Sequence, residues 1–266
     1  MLLRIITDYL RELTQRNEYA LPSEIIFEIG PQHDFSEKTV NKVLITQNLT
    51  IENIIYAKKT RCNLIICRYG IIPQFLNRID EPSQKFFLLL LQSRIMVCIL
   101  PSSWDYTDDG PIDFLSSVLN LEFQDSLWDK SEFLGRMYET KPSQTFENLL
   151  ARLHRNLNMD IIYAFSNLCS SISKVFFCFP DTVTLQKIIC CAAHQCDCLL
   201  GTAISSTAVP ILKNYNINFI EIPFSYLLEP ALQKFCVKLA VEFPRIEFDF
   251  YPSKSIIQFY KRKQNH

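Results

Sequence analysis

Glycine is scarce in this chain of 266 residues: Gly30, Gly70, Gly110, Gly135 and Gly201 are all it has, and no two lie within three residues of each other. A dinucleotide-binding loop, a Walker-type phosphate loop and a Gly-x-Ser-x-Gly nucleophile elbow all need clustered glycines for close backbone approach, so each is excluded. Histidine is scarcer still, with His33, His154, His194 and His266, and no pair has metal-ligand spacing. There is no Cys-x-x-Cys among the ten cysteines. An excess of one charge is missing too: 27 basic and 28 acidic side chains leave a formal net charge of −1, which gives no basic field for nucleic acid. The short run Lys261-Arg262-Lys263 reads as a solvated terminus. The longest apolar stretch, 86–100, is broken by Arg94 and falls short of the ~20 residues that a bilayer demands, so no membrane span is expected. Arg4, Asp8 and Arg11 break any apolar core of an export signal.

What is present is the composition of an ordinary globular protein, 48% apolar and 21% charged. Most cysteines lie within apolar runs, where they act as small hydrophobes, and a reduced cytoplasmic compartment is expected, with mitochondrion and nucleus left open. The cluster His194-x-Cys196-x-Cys198 matches no common zinc spacing. Short β-branched runs alternate with amphipathic stretches. Strands are expected at 25–29, 43–46, 63–67, 95–100, 133–139, 160–164, 174–179, 198–200, 217–222 and 245–251. Helices are expected at 2–15, 51–59, 84–92, 111–119, from 143, 182–194 with Asp181 as N-cap, 208–213 and 226–242. The pattern predicts an α/β protein of two packed lobes, 1–125 and 126–266, joined near Glu122–Lys130.

Several passages together resemble the NIF-three-like family of dinuclear-metal hexameric proteins. Val43-Leu44-Ile45-Thr46-Gln47-Asn48-Leu49-Thr50, a helix, and Cys62-Asn63-Leu64-Ile65-Ile66 are similar to its opening strand–helix–strand. The family's His-His-Pro turn is replaced by Arg68-Tyr69-Gly70, and its His-Thr-x-x-Asp by Ser102-Ser103-Trp104-Asp105. Leu134-Gly135-Arg136, Lys174–Cys178 and Asp197-Cys198-Leu199-Leu200-Gly201 resemble later landmarks. Ser225 and Glu229 stand where the family has a His and a Glu opening its last helix. Ser23–Gly30 replaces the family's Trp-Asp-Asn-x-Gly signature. The likeness spans about residues 20–250 and leaves no room for the inserted domain of larger members.

The resemblance implies two α/β lobes of the family fold and a homo-oligomer, a hexameric ring. It also implies a damaged metal site. Asp105 and Glu229 remain as candidate metal-binding carboxylates, while former ligand positions hold Arg68, Tyr69 and Ser225. Arginine donates no lone pair and repels a cation, and two carboxylates alone suit at most a weak, solvent-rich divalent ion. No catalytic residue and no cofactor is therefore assigned. Arg68, Asp105 and Glu229 are expected to converge, with the guanidinium bridging both carboxylates where the metals would sit. The alternative has Arg68 in solvent and Tyr69 filling the cavity. In function, the resemblance implies a non-catalytic interaction protein; the other reading is a metal-dependent hydrolase of a nucleotide or another phosphate-containing small molecule.

Overall fold

The computed structural model describes residues 1–15, 24–31, 38–70, 81–165 and 169–253. His33, His266, Ser23 and the basic run Lys261–Lys263 lie outside the described residues. In chain order the elements are α1 (Leu3–Gln15), β1 (Ile26–Ile29), β2 (Lys42–Asn48), α2 (Ile51–Lys59), β3 (Leu64–Tyr69), α3 (Glu81–Ser93), β4 (Met96–Ile99), a 3-10 turn (Ser102–Tyr106) and α4 (Pro111–Leu119). There follow β5 (Glu122–Asp129), β6 (Glu132–Thr145), α5 (Phe146–Leu157), β7 (Tyr163–Phe165), β8 (Ser171–Phe177), β9 (Thr182–Val183) and α6 (Leu185–Ala193). The described residues end with β10 (Cys198–Gly201), β11 (Ala203–Ile204), α7 (Val209–Asn214), β12 (Asn218–Glu221), α8 (Ser225–Glu242) and β13 (Glu247–Tyr251).

Two sheets share one central layer of helices. The first has strand order β1-β4-β3-β2-β13 and the second β5-β6-β8-β10-β12-β7. Period-two alternation along each strand assigns its side chains to the two faces. Leu44, Ile65 and Val97 lie under α2 and α3 with Ile54, Ala57, Phe86 and Leu90. Their neighbours Val43, Ile45, Leu64 and Ile66 face the other way, into a core completed by Leu10, Leu115, Leu149 and Leu232 from α1, α4, α5 and α8. The same core takes Val175, Phe177, Cys198, Leu200 and Ile220 from the second sheet. The far face of that sheet, with Phe176, Leu199 and Phe219, packs on Ile188, Cys191 and Leu212 of α6 and α7. At Gly135 of β6 the adjacent strand β8 of the same sheet crowds the backbone. Its φ is +151°, and a Cβ there would collide with the Phe177 carbonyl oxygen, so no side chain fits.

Three expectations need correction. A division at 125/126 does not match the sheets. β5 runs through it, pairing antiparallel with β6 in the second sheet, while β13 returns to the first sheet beside β2. The stretch 122–130 looked like a join because β5 buries one residue, Leu127, and shows no alternation. The third concerns α6, whose N-cap is Thr184 rather than Asp181: the Thr184 hydroxyl accepts from the Lys187 N–H, and Thr182–Val183 is drawn into a short pairing with β11. The scarcity of glycine also shows in the helix ends. Arg61, Arg94, Asn120, Asn158, Gln195 and Asn216 follow α2 to α7 with φ between 51° and 61°, the left-handed backbone that glycine ordinarily supplies.

Candidate interlobe site

β3 ends with Arg68 and Tyr69 on opposite faces. Because Thr46 pairs with Cys67 and Asn48 with Tyr69, Gln47 lies beside Arg68 on the face toward the shared core. Among the described residues the buried Gln47 Oε1 has no hydrogen-bond partner. After β4 the chain turns through Ser102–Tyr106, which places Asp105 at 0% exposure. Arg68 meets it with two parallel bonds, Nε to Oδ1 at 2.9 Å and Nη2 to Oδ2 at 2.8 Å. This is the planar fork-to-fork geometry that only arginine provides. Burial pushes the Asp105 carboxyl above its ordinary range, and the guanidinium pulls back against that. For Arg68 burial acts downward and the bonds to Asp105 outweigh it, so it stays charged. The Tyr69 ring lies 4.9 Å from the guanidinium carbon, within cation–π reach.

The turn is tied to the second lobe. The Tyr106 hydroxyl donates to the Phe179 carbonyl, and Arg136 Nη2 donates to the Tyr106 carbonyl at 2.7 Å. Phe179 opens the segment Phe179-Pro180-Asp181 after β8, and the charge of Asp181 is felt at Asp105. Asp181 is in turn held by Lys187 of α6, with Nζ to Oδ2 at 3.3 Å. The Lys187 side chain is 6% exposed while that of Asp181 is 71% exposed. A second ion pair, Lys187–Asp181, thus lies near enough for its carboxylate to act on Asp105. Lys187 was not foreseen, although it falls in the inward stripe of α6 with Ile188 and Cys191.

Arg68 and Asp105 are therefore brought together, and neither solvent exposure of Arg68 nor a cavity filled by Tyr69 is found. Glu229 stands outside the pair, which corrects the expected bridge. It lies half-buried on α8, where burial raises its carboxyl and the Ser253 N–H partly offsets this. Ser225 is exposed at the first position of α8 and caps nothing. Both oxygens of Asp105 are committed to arginine, and among the described residues no three His, Cys, Asp or Glu side chains are grouped closely enough to hold a metal ion. The donor set does not fit a dinuclear metal centre. No described helix is long and apolar enough to cross a membrane.

The family model Duf34/NIF3 (NGG1p interacting factor 3) matches residues 1–256. The chain belongs to the DUF34/NIF3 family. Solved structures agree on the DUF34/NIF3 fold. Staphylococcus aureus protein SA1388 superposes with a TM-score of 0.77 at 15% identity, covering 98% of this chain and 99% of that one. Reduced HcgD from Methanocaldococcus jannaschii gives 0.75 at 15% identity over 94% and 97%. A Bacillus cereus protein related to NIF3 gives 0.74 at 12% identity over 98% of each. No curated protein matches the chain by sequence.

Proposed function

We propose that this DUF34/NIF3 chain carries a degenerate interlobe site, in which an internal arginine–carboxylate pair takes the place of metal, and that it acts through protein interaction rather than catalysis. The observation that carries the reading is the bidentate Arg68–Asp105 pair. A buried aspartate needs a cation, and a guanidinium supplies one without leaving a coordination position for water or substrate. Metal catalysis needs such an open position, and the alternative hydrolase reading gains no support from these groups. A homo-oligomeric ring belongs to the same proposal. It is supported by Leu88 and Leu91 of α3, which stand 56% and 59% exposed while Phe86 and Leu90 of that helix fill the core.

Elemental analysis of the purified, dialysed chain tests the site. Metal far below one equivalent per chain is the expected result. A full equivalent retained through dialysis, with release of phosphate from a nucleotide, would overturn it. Light scattering tests the ring, and a monomer at micromolar concentration rules it out.

A further inference from the structure

Cys191 and Cys196 sit at the two outer positions of the turn that closes α6. The Cys196 N–H donates to the Cys191 carbonyl at 3.0 Å and the Gln195 N–H to the Ala192 carbonyl at 3.0 Å. Gln195 has φ +55°. These are the paired bonds of a Schellman ending, which brings its two outer side chains into contact, ordinarily as a hydrophobic pair. The endings of α2, α4 and α7 are built alike, joining Cys62 to Ala57, Leu121 to Ser116 and Ile217 to Leu212. The ending of α6 is the one of these four that places a thiol at both positions.

The two thiols occupy one pocket of core with Cys178, Val183 and Ile188, and the Cys191 thiol donates to the Cys196 carbonyl at 4.0 Å. A direct backbone bond between the two residues holds their Cα atoms on the order of 5–6 Å apart, inside the span of a disulfide. Access is one-sided: Cys191 is sealed at 0% exposure while Cys196 retains 5%. Reactivity is one-sided in the same sense. The neighbouring Cys191 thiol draws the Cys196 thiol below its ordinary range, burial opposes this, and Lys174 assists. Burial drives Cys98 and Cys178 up to about 12, which makes them inert. His194 takes no part, since its Nδ1 lies 2.9 Å from the Cys190 carbonyl.

We propose that Cys191 and Cys196 form a site of reversible oxidation, closed to a disulfide by a small hydroperoxide. The narrow opening at Cys196 selects hydrogen peroxide over a bulky disulfide. The Cys196 thiolate attacks one peroxide oxygen, the O–O bond breaks, and the departing hydroxide takes a proton to become water. Cys196 is left as a sulfenic acid. The Cys191 sulfur then attacks the Cys196 sulfur. The S–S bond forms, the S–O bond breaks, and the hydroxyl leaves as water with the Cys191 proton. Two thiols lose two electrons and two hydrogens, and one peroxide becomes two waters. A dithiol reductant reverses the change by exchange. The bond staples the end of α6 to the approach of β10, while the first turn of the same helix holds Lys187 at the interlobe site.

The test uses the full chain, reduced, desalted and treated with about one equivalent of hydrogen peroxide, then alkylated and mapped by mass spectrometry. The expected product lacks two hydrogens, has lost two alkylatable thiols, and carries a Cys191–Cys196 link that dithiothreitol removes. The link persists in Cys190→Ser. In Cys191→Ala, checked by circular dichroism to be folded, dimedone traps a sulfenic acid at Cys196. Loss of the link in Cys190→Ser, a link from Cys196 to any other cysteine, or oxidation of Cys169 with both core thiols untouched would overturn the proposal. The wild-type map stands without the variants, so a variant that fails to fold does not shield the idea.

Discussion

The surroundings of Asp105 and Glu229 differ in what supplies the positive charge. Asp105 is wholly buried and is met by a guanidinium at both oxygens. Glu229 lies half-buried on α8, and among the described residues the Ser253 backbone N–H partly offsets the burial of its carboxyl. A charge taken out of water costs several kcal/mol unless a partner replaces the lost hydration, whereas one that keeps water pays little. The two carboxylates therefore carry different obligations. Arg68 is fixed by the need of Asp105, and nothing comparable is fixed by Glu229.

The sharpest way to break this contrast is Arg68→Ala, which strands a buried carboxylate. Urea denaturation should show a loss of ~3–5 kcal/mol, and a loss below about 1 kcal/mol would mean that Asp105 is hydrated after all. The second test removes both charges at once. Arg68→Met combined with Asp105→Leu should recover most of that loss, because an apolar pair of similar volume needs no hydration. If the double variant is as unstable as Arg68→Ala, packing rather than charge is the deficit. The third variant turns to the other carboxylate. Glu229 has a folded value raised above its unfolded one, so its ionisation disfavours the fold at neutral pH, and that penalty disappears as pH falls through the folded value to the ordinary glutamate range. Glu229→Gln should then be slightly more stable than wild type at pH 7 and indistinguishable from it in acid, within ~0.5 kcal/mol throughout. A destabilised Glu229→Gln at pH 7 would show that Glu229 has a buried partner. The smallest expected effect is none: added Mn²⁺ or EDTA should leave the melting temperature unchanged, since a ligand that does not bind the native state cannot shift it.

Much of the fold was legible because burial is written in periodicity. α2 and α4 run as expected at Ile51–Lys59 and Pro111–Leu119, and β2, β3 and β4 lie within a few residues of their expected bounds. β5 escaped because it is an edge strand with little to bury, and Thr184 displaced Asp181 as a cap because of a two-residue pairing that leaves no periodic trace. At the site, the opposition of Arg68 and Asp105 followed from the likeness to the family, since an arginine beside a lost ligand position needs an acid. The exclusion of Glu229 did not, because spacing along a chain says nothing about which carboxylate is dry. Lys187 was hidden by the habit of reading lysine as surface, although a long aliphatic stem lets it sit in an inward stripe.

The parallel pairing of β13 with β2 makes the N-terminal half a debtor to the last part of the chain. Lys42–Asn48 is the next-to-edge strand of its sheet only once Glu247–Tyr251 has been made and laid beside it. During synthesis, β2, α2, β3, α3 and β4 emerge early and can assemble, but one flank of β2 waits until Glu247–Tyr251 has left the ribosome. Over that interval the Asn41 carbonyl and the free N–H and C=O groups of the alternate residues Val43 and Ile45, which face β13, are an open template for strand addition. The order of translation thus sets a vulnerable period in the life of each new molecule. A chain cut short before β13 would carry that exposure permanently.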